Sequence, residues 1–172
     1  MVNCLLTGLT AQISANCTGI VLGSMPGQVS LENVQYYAHP RNAFWPIMRS
    51  YFAFNADNSY QQNVVELNNS GIALWDVIAH CQRQGSLDSA IVTSSIQTNP
   101  FEQLFAEYNK IKHVFLNGQK AISLFEKKVL TKLESVEGLQ IYKLPSTSPA
   151  YAAMKYQDKE KVWHQALADA NF

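Results

Sequence analysis

The densest collection of reactive side chains is the run Gln35-Tyr36-Tyr37-Ala38-His39-Pro40-Arg41-Asn42-Ala43-Phe44-Trp45-Pro46. Aromatic rings on a loop can stack on a base and an arginine can meet a phosphate, so this composition suits capture of a nucleotide. Phe44 and Trp45 have a plain structural alternative, which is to anchor the following helix in the core. A second candidate is Gly23-Ser24-Met25-Pro26-Gly27. Two glycines and a proline after a strand-like run can bring backbone N–H groups close to a ligand. The run is neither a dinucleotide fingerprint nor a phosphate loop, and a purely structural turn would read the same way. The third is Leu144-Pro145-Ser146-Thr147-Ser148-Pro149, a stiffened loop whose N–H and O–H donors could approach a DNA backbone.

These runs need elements to position them. Thr18–Gly23, Ala90–Thr93, His113–Leu116 and Leu139–Leu144 are short, rich in β-branched or aromatic residues, and bounded by Gly, Pro, Asn or Ser, as strands are. Helical spacing appears at Asn42–Phe52, Tyr60–Asn68, Ala73–Gln82 (Leu74, Val77, Ile78, Cys81) and Phe101–Tyr108, and again after Gly118. A last helix is expected to start with Ser148 as cap and Pro149 in its first turn. Strands alternating with helices predict an α/β fold with a parallel sheet covered on both faces. Ligands in such folds bind outside the carboxyl ends of the strands. That places the search at Gly23–Gly27, Ser94–Asn99, Asn117–Gly118 and Pro145–Pro149.

The whole-chain quantities exclude several classes. A chain of 172 residues, 47% apolar and 15% charged, is read as one domain spanning residues 1–172, not as a disordered tail or a fibre. No apolar run approaches the roughly 18 residues of a membrane span, and the start lacks the pattern of a signal peptide. Cys4, Cys17 and Cys81 are too few and too scattered for a disulfide framework or a four-thiolate cluster, so they read as free thiols in a reducing compartment. The expectation is an intracellular monomer, in the cytoplasm and nucleoid or in a nucleus. Net charge is zero, from 13 basic and 13 acidic residues. Residues 1–109 hold three basic and seven acidic side chains and residues 110–172 hold ten and six, so −4 is followed by +4. A basic C-terminal face could meet phosphates, or be an ordinary solvated surface.

Gly23-Ser24-Met25-Pro26-Gly27, then Tyr36-Tyr37-Ala38-His39-Pro40-Arg41-Asn42-Ala43-Phe44-Trp45, Gly85-Ser86-Leu87-Asp88-Ser89, Leu116-Asn117-Gly118 and Leu144–Ala150 together resemble the uracil-DNA glycosylase superfamily. Within it the chain looks most like the hypoxanthine-DNA (deoxyinosine) glycosylase family, over about residues 18–167. The resemblance implies a three-layer α/β/α domain around a four-stranded parallel sheet. It also implies excision of deaminated bases from DNA without metal or cofactor, and no membrane partner. Two departures stand out. Met25 occupies the position where mismatch-specific uracil glycosylases carry a water-positioning Asn, whereas the hypoxanthine-directed family places its functional Asn in the His-Pro-Arg-Asn stretch, here Asn42. Asn99-Pro100-Phe101 stands where relatives more often show Asn-Asp-Phe.

The mechanism expected on that footing is base flipping, with Asn42 orienting a water toward C1′ by placement and not by strong base catalysis. Tyr37 would stack on the base, the Gly23–Gly27 backbone would line its polar edge, and Asn99 would supply a discriminating amide. His39 and Arg41 are candidates for phosphate contact, with a structural hydrogen bond as the alternative use of His39. Leu144 to Ser148 would enter the minor groove, with Leu144 or a neighbour filling the vacated stack. Lys143 and Lys155 are further phosphate candidates. Glu32, the carboxylate nearest these runs, reads as a solvated charge, and His80, His113 and His164 as structural. No lysine lies in the motif loops, so an abasic site in an intact strand is the expected product. The competing classes are a uracil-directed glycosylase, a non-catalytic binder of damaged DNA or nucleotides, and an unrelated cysteine hydrolase.

Overall fold

The computed structural model describes residues 5–133 and 137–172; Cys4 lies outside them. Four strands, β2 (Gly19–Gly23), β3 (Ile72–Asp76), β6 (His113–Asn117) and β7 (Gln140–Leu144), form a parallel sheet in the order β3-β2-β6-β7. β1 (Leu5–Thr7), β4 (Ile78–Gln82) and β5 (Gln97–Thr98) form a small antiparallel sheet in the order β1-β4-β5. Alternation along the central strands divides the core. Ile20, Leu22, Ala73, Val114 and Leu116 pack on one face with α4 (Phe101–Glu107) and α5 (Gln119–Leu124). Val21, Ile72, Leu74 and Phe115 pack on the other with α2 (Phe44–Phe52), α3 (Tyr60–Asn69) and α6 (Tyr156–Asp169). The three-layer architecture around a four-stranded parallel sheet is as the family resemblance implied.

Local chemistry explains the helix starts. Ser59 caps α3 with a reciprocal pair, its hydroxyl accepting from the Gln62 N–H while the Gln62 side chain accepts from the Ser59 N–H. Pro46 lies in the first turn of α2, where a missing N–H removes no helical bond. A short helix not anticipated, α1 (Gln28–Asn33), follows Gly27 directly.

Three expectations are corrected. The Ala73–Gln82 segment is two strands joined at Val77, not a helix. Ile72, Ala73 and Leu74 are all fully buried, and a strand covered on both faces is a continuous apolar run in which helical spacing arises by accident. Ala90–Thr93 is not a strand. It lies between 3-10 turns at Asp88–Ala90 and Thr93–Ser95, with Ile91 making a single bridge to Arg83. The last helix starts at Tyr156 with Lys155 at its cap position, because Ser148 spends its hydroxyl locally. Its oxygen accepts from the Ala150 N–H at 3.2 Å, and its carbonyl accepts from the Tyr151 N–H at 3.1 Å, which closes a turn.

Gly118 caps α5 at φ 95° and ψ 162°, a conformation essentially reserved for glycine. A Cβ there would stand 2.8 Å from the Cβ of Ser146. Gly118→Ala should therefore cost about 1–3 kcal/mol of stability, read as a lower urea midpoint with an unchanged slope. An unchanged midpoint would show that the loop carrying Ser146 moves aside freely.

Candidate active site

All four parallel strands end at one level. Gly23 pairs with Asp76 and Asn117 with Leu144, while Leu22 lies opposite Leu116. Beyond this row opens a cavity of about 960 Å³. Gly23, Ser24, Met25, Pro26 and Gly27 line it from the end of β2, and Tyr37, His39, Arg41 and Asn42 from the loop before α2. Asp76 and Asn117 form part of its wall, Ser86 to Ser89 one rim, and Ser146 to Tyr151 another.

Hydrogen bonds hold these loops to one another. Asn117 spends both ends of its amide on Thr147: Nδ2 donates to Oγ1 at 2.9 Å, and Oδ1 accepts from the Thr147 N–H at 2.9 Å. The Thr147 carbonyl accepts from the Ala43 N–H at 3.0 Å, which ties the His-Pro-Arg-Asn loop to the same point. The buried Arg83 guanidinium donates to the Pro26 carbonyl at 2.6 Å and the Gly85 carbonyl at 2.9 Å. The Ser24 hydroxyl donates to Asp88 at 2.7 Å, and the Gln28 N–H donates to the Ser86 hydroxyl at 2.8 Å.

Asn42 is half-buried, with its side-chain oxygen accepting from the Phe44 N–H at 3.0 Å. That bond fixes the amide and leaves the oxygen a second lone pair. Tyr37 adopts φ 57°, rare for a residue with a side chain, and its ring lies 4.1 Å from that of Phe44. Its hydroxyl is enclosed, beside the Asn117 amide and Asp76. Burial, then the neighbouring Asp76, push its pKa up and keep it protonated. His39 makes the structural bond anticipated for it, Nδ1 accepting from the Arg41 N–H at 3.1 Å.

Three residues expected at the site are not on the cavity. Asn99 braces the chain behind it, its Nδ2 donating to the Asp76 carbonyl at 2.8 Å and its N–H to the Val77 carbonyl at 3.0 Å. Leu144 is 4% exposed and faces the Phe115–Trp163 side of the core, so it cannot serve as a wedge without unpacking β7. The Pro145 carbonyl accepts from the Trp163 indole at 3.0 Å. Thr147 does line the cavity but is buried, and its hydroxyl already serves Asn117, so it holds the loop instead of reaching a phosphate. The exposed apolar side chains on the two rims are Leu87 and Tyr151. Of the lysines, Lys143 is ion-paired with Glu126, and Lys120 on α5 reaches the cavity wall although no motif loop carries a lysine.

Asp76 is the principal residue that the sequence reading missed. It is 3% exposed, and its Oδ2 has no hydrogen-bond partner among the described residues. Burial raises its pKa to about 8, helped by Asp88 and opposed by Arg83. The available signal was an aspartate closing the apolar run Ile72-Ala73-Leu74-Trp75, hidden by the helical reading. Asn117 ends the apolar run His113–Leu116, a position that by itself assigns it no role. Among the described residues no three His, Cys, Asp or Glu side chains gather as a metal-binding group. Nor, among them, is any helix long and apolar enough to cross a membrane.

A family model described as the uracil DNA glycosylase superfamily matches residues 11–170. A protein of Methanosarcina barkeri (strain Fusaro) named hypoxanthine DNA glycosylase is 35% identical over 115 residues, 66% of this chain and 72% of the relative. Its namesake in Methanosarcina acetivorans is 34% identical over the same shares. The solution NMR structure of a candidate uracil DNA glycosylase from Methanosarcina acetivorans superposes with a TM-score of 0.75. It is 29% identical in sequence, over 95% of this chain and 99% of that one.

The raised Asp76 pKa has a consequence for stability. The native state keeps a proton that an unfolded aspartate releases near pH 4, so stability should fall from about pH 4 to about pH 8 and level off above. Asp76→Asn should flatten that slope and raise stability at pH 9 by more than about 1 kcal/mol in urea unfolding. Parallel profiles for the two proteins would place the native pKa near its ordinary value.

Proposed function

The chain belongs to the uracil DNA glycosylase superfamily, and on that premise we propose that it excises deaminated bases from DNA, chiefly hypoxanthine from deoxyinosine, by hydrolysing the N-glycosidic bond. The observation that carries this reading is that one cavity at the strand ends collects Tyr37, Asn42 and the Gly23–Gly27 backbone. The names of the two Methanosarcina relatives support the choice of base. A deaminated base is mispaired, so everting it costs less than everting a normal one. Once everted, the base stacks on Tyr37, whose far face is backed by Phe44, and its polar edge meets the Gly23–Gly27 loop and the row behind it.

Bond cleavage then proceeds by a dissociative route. The C1′–N9 electron pair leaves with the purine, a water held by the second lone pair of Asn42 Oδ1 adds to C1′, and the proton that water releases neutralises the purine on a ring nitrogen. Fixed placement is the main device, and the bond from the Phe44 N–H supplies it. Ser146, Ser148 and Arg41 contact the DNA backbone, while Leu87 or Tyr151 fills the vacated stack in place of the buried Leu144. The product is an abasic site in an intact strand, from a monomeric enzyme acting where the genome is.

A duplex carrying one deoxyinosine, incubated with the protein and then cleaved with alkali, tests this. Wild type should release hypoxanthine, and Asn42→Ala should be slower by about 100-fold or more. Equal rates would remove Asn42 from the mechanism. Tight binding without release would favour a non-catalytic reader of damage, a reading supported by the apolar Met25 on the cavity wall. Faster release from a uracil or xanthine duplex would reassign the base. Strand scission before alkali would contradict a purely hydrolytic enzyme and direct attention to Lys120.

A further inference from the structure

We infer that Trp45 and Ser30 are positioning residues for Tyr37: their side chains hold the peptide groups on either side of it and so fix the left-handed backbone that presents its ring to an everted base. This rests on the glycosylase reading and adds to it two residues that act through the stacking platform.

A residue's φ and ψ are the rotations of its two flanking peptide planes about its own Cα. At Tyr37 each plane is gripped by a side chain from a different helix. The plane before it carries the Tyr36 carbonyl, which accepts from the Trp45 indole of α2 at 2.9 Å. The plane after it carries the Ala38 N–H, which donates to the Ser30 hydroxyl of α1 at 3.2 Å. Trp45 and Ser30 are both buried, so water competes poorly for either bond. Removing either side-chain group frees one plane to turn and deprives a backbone group of its partner.

The approach to Tyr37 is held as well. The Tyr36 N–H donates to the Tyr60 hydroxyl of α3 at 3.0 Å, and the Tyr36 hydroxyl reaches the Leu9 and Thr10 carbonyls, each at 3.1 Å. The Gln35 N–H donates to the Ser30 carbonyl at 3.0 Å. All these bonds converge on a conformation that a residue with a side chain does not choose unaided. A non-glycine residue at φ 57° is disfavoured and persists only where its surroundings over-determine it. Val34, at φ 53°, opens the same segment, so four residues begin and end in that region.

What the conformation secures is the place of the ring. Tyr37 lines the cavity, with its ring 4.1 Å from that of Phe44 and its hydroxyl 3.5 Å from where a Cβ on Gly23 would stand. A right-handed or extended backbone would send the Cα–Cβ bond in another direction and carry the ring off this wall. A platform set in advance spares the everted base the cost of ordering it. It also keeps the sugar at one distance from Asn42, so a loosened ring slows bond cleavage, while phosphate contacts still hold the duplex. Trp45 does not line the cavity, and its indole N–H is turned to Tyr36; Ser30 does line it, so the test separates action through Tyr37 from direct contact.

The experiment is a double-mutant cycle on single-turnover release of hypoxanthine from a deoxyinosine duplex, with the protein concentration varied. Trp45→Phe keeps an aromatic ring and removes the indole donor; Ser30→Ala removes the hydroxyl acceptor. Each should lower the maximal rate by roughly 5- to 50-fold, with the half-saturating concentration little changed. Tyr37→Gly removes the ring and accepts a positive φ without strain. In that background, slower at the outset, Trp45→Phe and Ser30→Ala should each change the rate by less than about 2-fold, because nothing is left for them to position. Slowing that multiplies in the Tyr37→Gly background overturns the proposal, since a general structural role or a direct contact to the base would add. So does a wild-type maximal rate for both single variants, or for Tyr37→Gly itself. If Trp45→Phe fails to fold by urea unfolding, the Ser30→Ala arm of the cycle decides alone. Wild type that releases no base from any deaminated duplex overturns the glycosylase reading, whereas an active wild type with additive variants overturns only these two roles.

Discussion

The parallel register of the central sheet is the constraint from which the rest follows. Because Gly23 pairs with Asp76 and Asn117 with Leu144, four strands stop in one row and their last side chains form one wall. Shifting any strand by one residue would turn each of these side chains to the opposite face. The register is secured by the core, since Ile20, Val21, Leu22, Leu74, Val114, Phe115 and Leu116 are all fully buried and alternate between two apolar layers. Site geometry and core packing are thus two aspects of the same pairing.

Loops leaving that row are held by polar groups and not by bulk. Thr147 receives Asn117 twice and offers its carbonyl to Ala43, so a single buried threonine joins β6, the loop after β7 and the entry to α2. Arg83, Ser24 and Gln28 do the same between the Gly23–Gly27 loop and the Gly85–Ser89 rim. Each such bond contributes about 1 kcal/mol when made, and a buried group deprived of its partner costs more than that. The outcome is a cavity whose walls are set before a ligand arrives. A mechanism that relies on placing a neutral water requires this kind of rigidity.

Much of this was legible from sequence, for physical reasons that differ by element. β2 and β6 announce themselves because short apolar runs end in Gly23 and Asn117 at the site itself, and β7 because Pro145 stops the run at Leu144. The cavity-facing residues Gly23–Gly27, Tyr37, His39, Arg41 and Asn42 cluster locally, so composition alone exposes them. Asp76 was hidden because a strand buried on both faces has no two-residue alternation, and Leu74, Val77, Ile78 and Cys81 mimic a helix. Asn99 and Leu144 lie near strand ends, a position that by itself suggests a side chain turned to the ligand. Which way a side chain points depends on pleat and on long-range partners, Asp76 for one and the Trp163 layer for the other. The neighbours of Ser148 spell a helix cap, but a competing local turn takes its hydroxyl.

On the proposed function, the strand-end row and the loop before α2 together receive an everted nucleoside. The most direct measurement is a crystal structure of the protein with duplex DNA carrying a non-hydrolysable deoxyinosine analogue. The purine should be stacked on Tyr37 with its carbonyl edge toward the Gly23–Asp76 pair, and an ordered water should lie between Asn42 and C1′. An analogue left stacked in the helix, or an everted purine bound away from this row with Asn42 remote from the sugar, would contradict it.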